Sequence, residues 1–173
     1  AYYLPFFRER QFPGENGRLR TSPRIDTSQS RYERGGDETA GDFALRYTNR
    51  FGGFDLGVHG FYGTSRNPRL DFHPASGLLE PFYPELTQGG LDLQWTRDAW
   101  LLKGEVVVGE MLDDTYTSAV GGFEYTFFDT GGQGWDLGLI GEYLYDDRDQ
   151  SRLPITVFEN DIFLGTRITL NDI

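Results

Sequence analysis

With 173 residues the chain is long enough for one domain with a sizeable core. Its net charge of −11 argues against nucleic acid, because no basic stripe offsets the repulsion of a polyanion. The absence of cysteine excludes a disulfide framework or a thiolate metal site, and no apolar run reaches the roughly 18 residues of a transmembrane helix.

A hydrophobic fraction of 38% with 16% aromatics, and 14 Phe and 10 Tyr against a single Met, favours strands over helices. Residues 1–41 read as one long irregular segment, broken by Pro5, Pro13, Gly14, Gly17 and Pro23. Its opening, Tyr2, Tyr3, Leu4, Phe6 and Phe7, is too aromatic for a free tail and is expected to pack. It carries no basic-then-apolar export signal.

From Asp42 the pattern alternates. The first strand, about Asp42–Phe51, sets Phe43, Leu45, Tyr47 and Phe51 against Ala44, Arg46, Thr48 and Arg50. Gly52-Gly53 turns it into a second, Phe54–Gly63, and a connection with four prolines runs from Thr64 to about Leu86. A third strand, about Thr87–Thr96, passes through an Arg97-Asp98 turn into a fourth, Ala99–Glu110. A short acidic link, Met111 to Thr115, precedes the hairpin Gly121–Tyr145, which supplies strands five and six. There Phe123, Tyr125, Phe127, Trp135, Leu137, Leu139, Tyr143 and Tyr145 share one face. A polar connection, Asp146–Glu159, leads to a seventh strand, about Asn160–Leu170.

Connections are expected to be short after strands one, three and five and longer after two, four and six. Aromatics bracket the short turns: Phe51 with Phe54, Trp95 with Trp100, Phe127 with Trp135. Phe43, Tyr62, Tyr116 and Tyr145 mark the opposite strand ends. Strands of about ten residues suit a tilted bilayer crossing, and aromatic bands at both ends match interfacial girdles. A soluble sandwich or lipocalin-like barrel also alternates, but its outer face would carry Lys and Glu rather than the glycine and small polar residues found here.

The pieces FALRYTNRFGGFDLGVHGFYGTSRNPRL, GGFEYTFFDTGGQGWDLGLIGEYLYDDR and FENDIFLGTRITLND resemble parts of a Gram-negative outer-membrane β-barrel of porin type. The resemblance covers about Asp42 to Ile173 and concerns architecture rather than any solute. It implies an all-β, antiparallel transmembrane β-barrel in the outer membrane, with long loops outward and short turns periplasmic. Such barrels end in a terminal aromatic, whereas this chain ends Asn171-Asp172-Ile173. Because seven strands is odd where such barrels are even, two explanations stand: residues 2–7 supply an eighth strand, or the chain is an internal portion of a larger barrel. The second is preferred. Residues 42–173 are then strands of a single barrel, and 1–41 an outer loop or a segment folded into the lumen.

On that assignment the lumen is lined by Arg46, Arg50, Asp55, His59, Asp92, Gln94, Lys103, Glu105, Glu124, Asp136, Glu142, Asp161 and Arg167. Acids outnumber bases among them, which implies a mild cation preference if the lumen conducts; mutual pairing into a polar plug is the alternative. Arg8, Arg10, Arg18 and Arg20 are candidates for a constriction. The interface girdle would be Phe51, Phe54, Trp95, Trp100, Phe127, Trp135, Tyr62, Tyr116 and Tyr145. Acidic tips at Asp113-Asp114 and Asp146-Asp147 with Asp149 read as solvated charge rather than a calcium loop. With no Gly-x-Ser-x-Gly elbow and no metal-spaced pair made by His59 and His73, no catalysis, metal or cofactor is expected. The expected partner is outer-membrane lipid, with a second copy or a protein held in the lumen as further options.

Overall fold

The computed structural model describes residues 1–34, 40–132 and 134–170; the Asn171-Asp172-Ile173 end lies outside them. Eleven strands run in chain order: β1 (Tyr2–Leu4), β2 (Arg31–Tyr32), β3 (Asp42–Phe51), β4 (Phe54–Thr64), β5 (Arg69–His73), β6 (Leu78–Tyr83), β7 (Glu85–Arg97), β8 (Trp100–Met111), β9 (Asp114–Phe127), β10 (Trp135–Asp146) and β11 (Asn160–Leu170). The protein is all-β. Eight strands form one antiparallel sheet in the order β1-β3-β4-β7-β8-β9-β10-β11, and β2-β6-β5 form a smaller one.

The large sheet is a meander whose seven long strands are those read from the alternation. Its short turns follow from local backbone chemistry. Gly52 takes a φ of 58° between the paired Phe51 and Phe54, and Asp98 a φ of 52° in the turn Asp98–Ala99, one residue later than expected. Leu112 and Asp113, with φ of 54° and 60°, make a primed two-residue turn whose twist suits a hairpin. A leucine there is strained; its side chain packs against the cluster of Met111, Tyr116 and Leu153. The link between β8 and β9 is therefore tight, so the expected rule of long connections at that end fails at this position.

Two further departures concern segments read as irregular. Tyr2–Leu4 adds to the sheet as β1, antiparallel to β3, with Tyr3 opposite Phe43. The sheet thus has eight strands rather than seven. The proline-rich stretch after β4 contains the β5–β6 hairpin, and β2 pairs with β6 in parallel. Among the described residues β1 neighbours only β3 and β11 only β10, so the sheet is open.

The buried core is small and lies at the end of the sheet where β4 and β10 run into long connections. Phe7, Tyr32 and Tyr83 pack ring against ring at 5.0–5.8 Å between centroids. Met111, Tyr116 and Leu153 form the adjoining cluster.

Candidate functional site

The two faces of the large sheet differ in chemistry and in exposure. Register settles which residue lies on which. One row runs Tyr47, Val58, Leu91, Val106, Ala119, Tyr145; the next on that face runs Asn49, Leu56, Leu93, Gly104, Gly121, Tyr143, Ile162, and the one after it Phe51, Phe54, Trp95, Leu102, Phe123, Gly141, Leu164. This apolar face stands open: Leu45 is 60% exposed and Leu164 77%. The rows between carry the polar residues. Arg50, Asp55, Gln94, Lys103, Gly122, Glu142 and Phe163 form one, and Gly57, Asp92, Glu105, Val120, Leu144 and Asp161 another. His59 pairs with Arg46, Gly138 with Arg167, and Asp136 with Thr169. All thirteen residues assigned to the lumen therefore share one face. Glu124 on it is 8% exposed, against 60% for Leu45 on the other.

The polar face is laced by ion pairs, three of which skip a strand. Arg46 on β3 reaches Asp92 on β7 at 2.7 Å. Lys103 on β8 pairs with Glu142 on β10, and Glu124 on β9 with Arg167 on β11. Each bridge crosses the intervening strand beside a glycine. A Cβ on Gly57 would land on the Asp92 carboxylate, one on Gly122 would lie 2.9 Å from Glu142 Cγ, and one on Gly138 2.9 Å from Glu124 Oε1. The glycines let long side chains lie flat across the sheet, which explains why this face mixes glycine with charge. His59 lies likewise over Gly90, and Arg50 pairs with Asp55 on the neighbouring strand.

Every arginine and lysine in this set is paired with an acid, while His59 Nδ1 is buried 4.0 Å from Asp92 without a hydrogen bond among the described residues. Asp136 and Asp161 accept backbone N–H groups of Asp129 and Glu159. Glu105 is exposed and has no ion pair or hydrogen-bond partner among the described residues. The face is not wholly polar. Val107, Val120 and Leu144 line a depression of about 270 Å³ together with Glu105 and with Thr156 and Phe158 of the β10–β11 connection.

A buried carboxylate missed by sequence reasoning ties the connections to the sheet. Asp42 is fully buried. It accepts from the Thr64 N–H at 2.9 Å, and Arg66 and Arg34 approach it at 2.6 and 3.4 Å. Arg34 also holds Glu85 at 2.8 Å and lies over the Tyr62 ring, while Arg66 lies over Phe7. The available signal was an acid opening a strand between two arginine-bearing segments.

At the short-turn end, Phe51 stacks on Phe54 at 5.7 Å and Phe54 meets Trp95 at 6.2 Å. Trp100 contacts Phe123 and Tyr125, and Tyr125 contacts Phe127. Phe127 lies opposite Leu137 rather than Trp135, whose partner on β11 is Leu170. Tyr62 and Tyr145 lie on the apolar face at or towards the other end. Tyr116 does not. β9 is unbroken from Asp114 to Phe127, so Tyr116 falls on the face of Glu124, where it is 4% exposed beneath the Arg148 guanidinium.

Among the described residues none of the four arginines proposed for a constriction forms an ion pair or hydrogen bond with the thirteen polar-face residues. Arg10 binds Asn67 at 2.8 Å, and its N–H donates to the Tyr83 hydroxyl. Burial pushes that phenol above its usual range. Arg8 and Arg10 line one depression, and Arg18 and Arg20 line another. The acidic tips are engaged locally: Asp114 by Arg152 at 2.9 Å, Asp146 by Arg148 at 2.8 Å, and Asp147 by the Thr117 N–H. Hydrogen bonds from Ser151, side chain first and then backbone, hold the Asp149 carboxyl below its ordinary value.

No family model, no curated protein and no solved structure matches this chain.

Proposed function

We propose that the sheet is the wall of an outer-membrane β-barrel of porin type, its apolar face in lipid and its polar face lining a lumen that passes small hydrophilic solutes or ions. The observation that supports this most is the inverted distribution of polarity: large apolar side chains stand open across β3 to β11, while carboxylates and cations are drawn together on the more enclosed face. An exposed apolar surface of this extent is a liability in water and an asset in lipid. The aromatic band at the short-turn end has the place of an interfacial girdle.

The open edges fit this reading only if they are completed. Unpaired backbone groups in hydrocarbon cost several kcal/mol each, so β11 must pair with further strands, from the same protein or a second copy. Glu105, the carboxylate without a partner, biases such a lumen towards cations. Reconstitution into planar bilayers tests the reading. Discrete conductance steps with a cation-to-anion permeability ratio above one are expected, falling in Glu105→Gln.

A second reading is a barrel that does not conduct and holds a partner or plug. It draws on the packed cap at one end, where Phe7, Tyr83 and Leu153 are buried. Correct insertion without conductance steps would favour it.

A further inference from the structure

Residues 1–34 hold seven arginines and four carboxylates in a chain whose net charge is −11. Four of these arginines are committed: Arg31 to Asp71, Arg34 to Asp42 and Glu85, Arg10 to Asn67 and Arg24 to Glu15. The remaining three are Arg8, which lines a depression with Arg10, and the pair Arg18 and Arg20. Among the described residues neither has an ion pair or a side-chain hydrogen bond. Together with Arg24 they line an open depression of about 660 Å³, whose other walls are Asn16, Thr21 and Ser22. Glu15 is its one carboxylate, 3.4 Å from Arg24.

We propose that this depression binds a phosphate-type oxyanion. Three arginines and a single carboxylate line this hollow, which leaves it a net positive charge. Guanidinium forks match phosphate oxygens in a bidentate way, and the amide and hydroxyls of Asn16, Thr21 and Ser22 add neutral donors. The hollow is a shaped one. Gly17 N–H donates to Gly14 O at 2.8 Å and Arg20 N–H to Gly17 O at 3.3 Å, two successive turns that set Arg18 and Arg20. Its far wall is fixed to β6, where Leu79 N–H donates to Arg24 O at 2.9 Å and Asp26 N–H donates to Leu79 O at 2.8 Å.

The site is independent of conduction and stands whether or not the barrel is open. Phosphate chemistry has two sources here, a free phosphorylated solute and a lipid headgroup. Leu19, between the two arginines and 82% exposed, gives the second an apolar foothold.

Calorimetric titration of the detergent-solubilised protein tests the site, with inorganic pyrophosphate in one arm and micelles doped with phosphatidic acid in the other. Saturable heat with pyrophosphate identifies a free-solute site, and heat with the doped micelles alone identifies a headgroup site. Arg18→Gln with Arg20→Gln should weaken the binding at least tenfold, and both side chains are exposed, so the fold is expected to persist. Arg97→Gln, an exposed arginine at the far turn, should change nothing. Absence of binding in both arms, or binding that the double variant leaves unchanged, overturns the proposal.

Discussion

At one end of the sheet, apolar side chains are buried as in any soluble domain: Phe7, Tyr83, Met111, Tyr116 and Leu153 are packed under loops, with the Asp42 carboxylate held between two arginines. Along the strands the order is reversed. Leu, Val and Phe stand open, and the ion pairs of Arg46, Lys103 and Arg167 lie on the more enclosed face. The same chain therefore follows two solvent rules. On the proposed reading the capped end meets water and the wall meets lipid.

The largest expected effect on membrane assembly breaks the wall. Leu139 lies in an apolar row with Trp100 and Tyr125. On the proposed reading Leu139→Arg would put a cation on the lipid face between the interface and the midplane, at a cost of about 1–3 kcal/mol, and membrane assembly should be impaired in a vesicle-insertion assay. Full insertion of the variant would contradict the facing. The capped end should break differently. Asp42→Ala removes the carboxylate that Arg34 and Arg66 share and leaves Arg34 with Glu85 alone. We expect a loss of about 2–3 kcal/mol, below the range for a fully buried pair because Arg66 is half open. Protease cleavage within residues 65–84 should rise, with insertion retained.

Adjacent glycines sharpen the contrast between faces. A Cβ on Gly122 would come within 2.6 Å of Gly141 O as well as against Glu142, whereas one on Gly121, on the apolar face, meets nothing within 4 Å. Gly122→Val should cost about 1–3 kcal/mol and disrupt the Lys103–Glu142 pair. Gly121→Ala should be neutral or stabilise slightly. Denaturant unfolding of the two variants would expose any error in the assigned faces, since a reversed facing predicts the reverse order.

What the sequence made legible is the part governed by a local period. Alternation assigned the long strands and put Arg46, Asp92, Glu124 and Arg167 on a common face, because a strand's facing is fixed by parity alone. Tyr116 was misplaced by ignoring that parity: an unbroken count back from Phe127 puts it with Glu124. The strand-skipping ion pairs were not legible, since they need the register of three strands at once, although the recurring glycine beside each was a clue. The β5–β6 hairpin was hidden by Pro81, which normally demotes a strand. Its pairing with Arg31–Tyr32 joins residues about fifty positions apart, and no local pattern reports such a contact.

The smallest expected effect separates the two regions by pH. Asp71 on β5 receives Arg69 at 2.7 Å and Arg31 at 2.6 Å, joining the hairpin to the strand of the N-terminal segment. Partial burial raises its carboxyl, but the hydrogen bonds and charges of Arg69 and Arg31 together outweigh burial and leave it below its ordinary value. A carboxyl lowered on folding stabilises the folded form fully above its unfolded pKa, near 3.9, and the gain vanishes as pH falls through the folded value. Acidification from pH 6 to below pH 4 should therefore loosen β5 and β6 by about 1 kcal/mol, discounted for the exposure of Arg31. Hydrogen exchange of the hairpin amides, corrected for intrinsic rates, should rise about fivefold over that range while the amides of β8 and β9 stay protected. In Asp71→Asn the faster exchange should already be present at pH 6 and change less on acidification. Equal acid sensitivity in the variant would place the titration elsewhere.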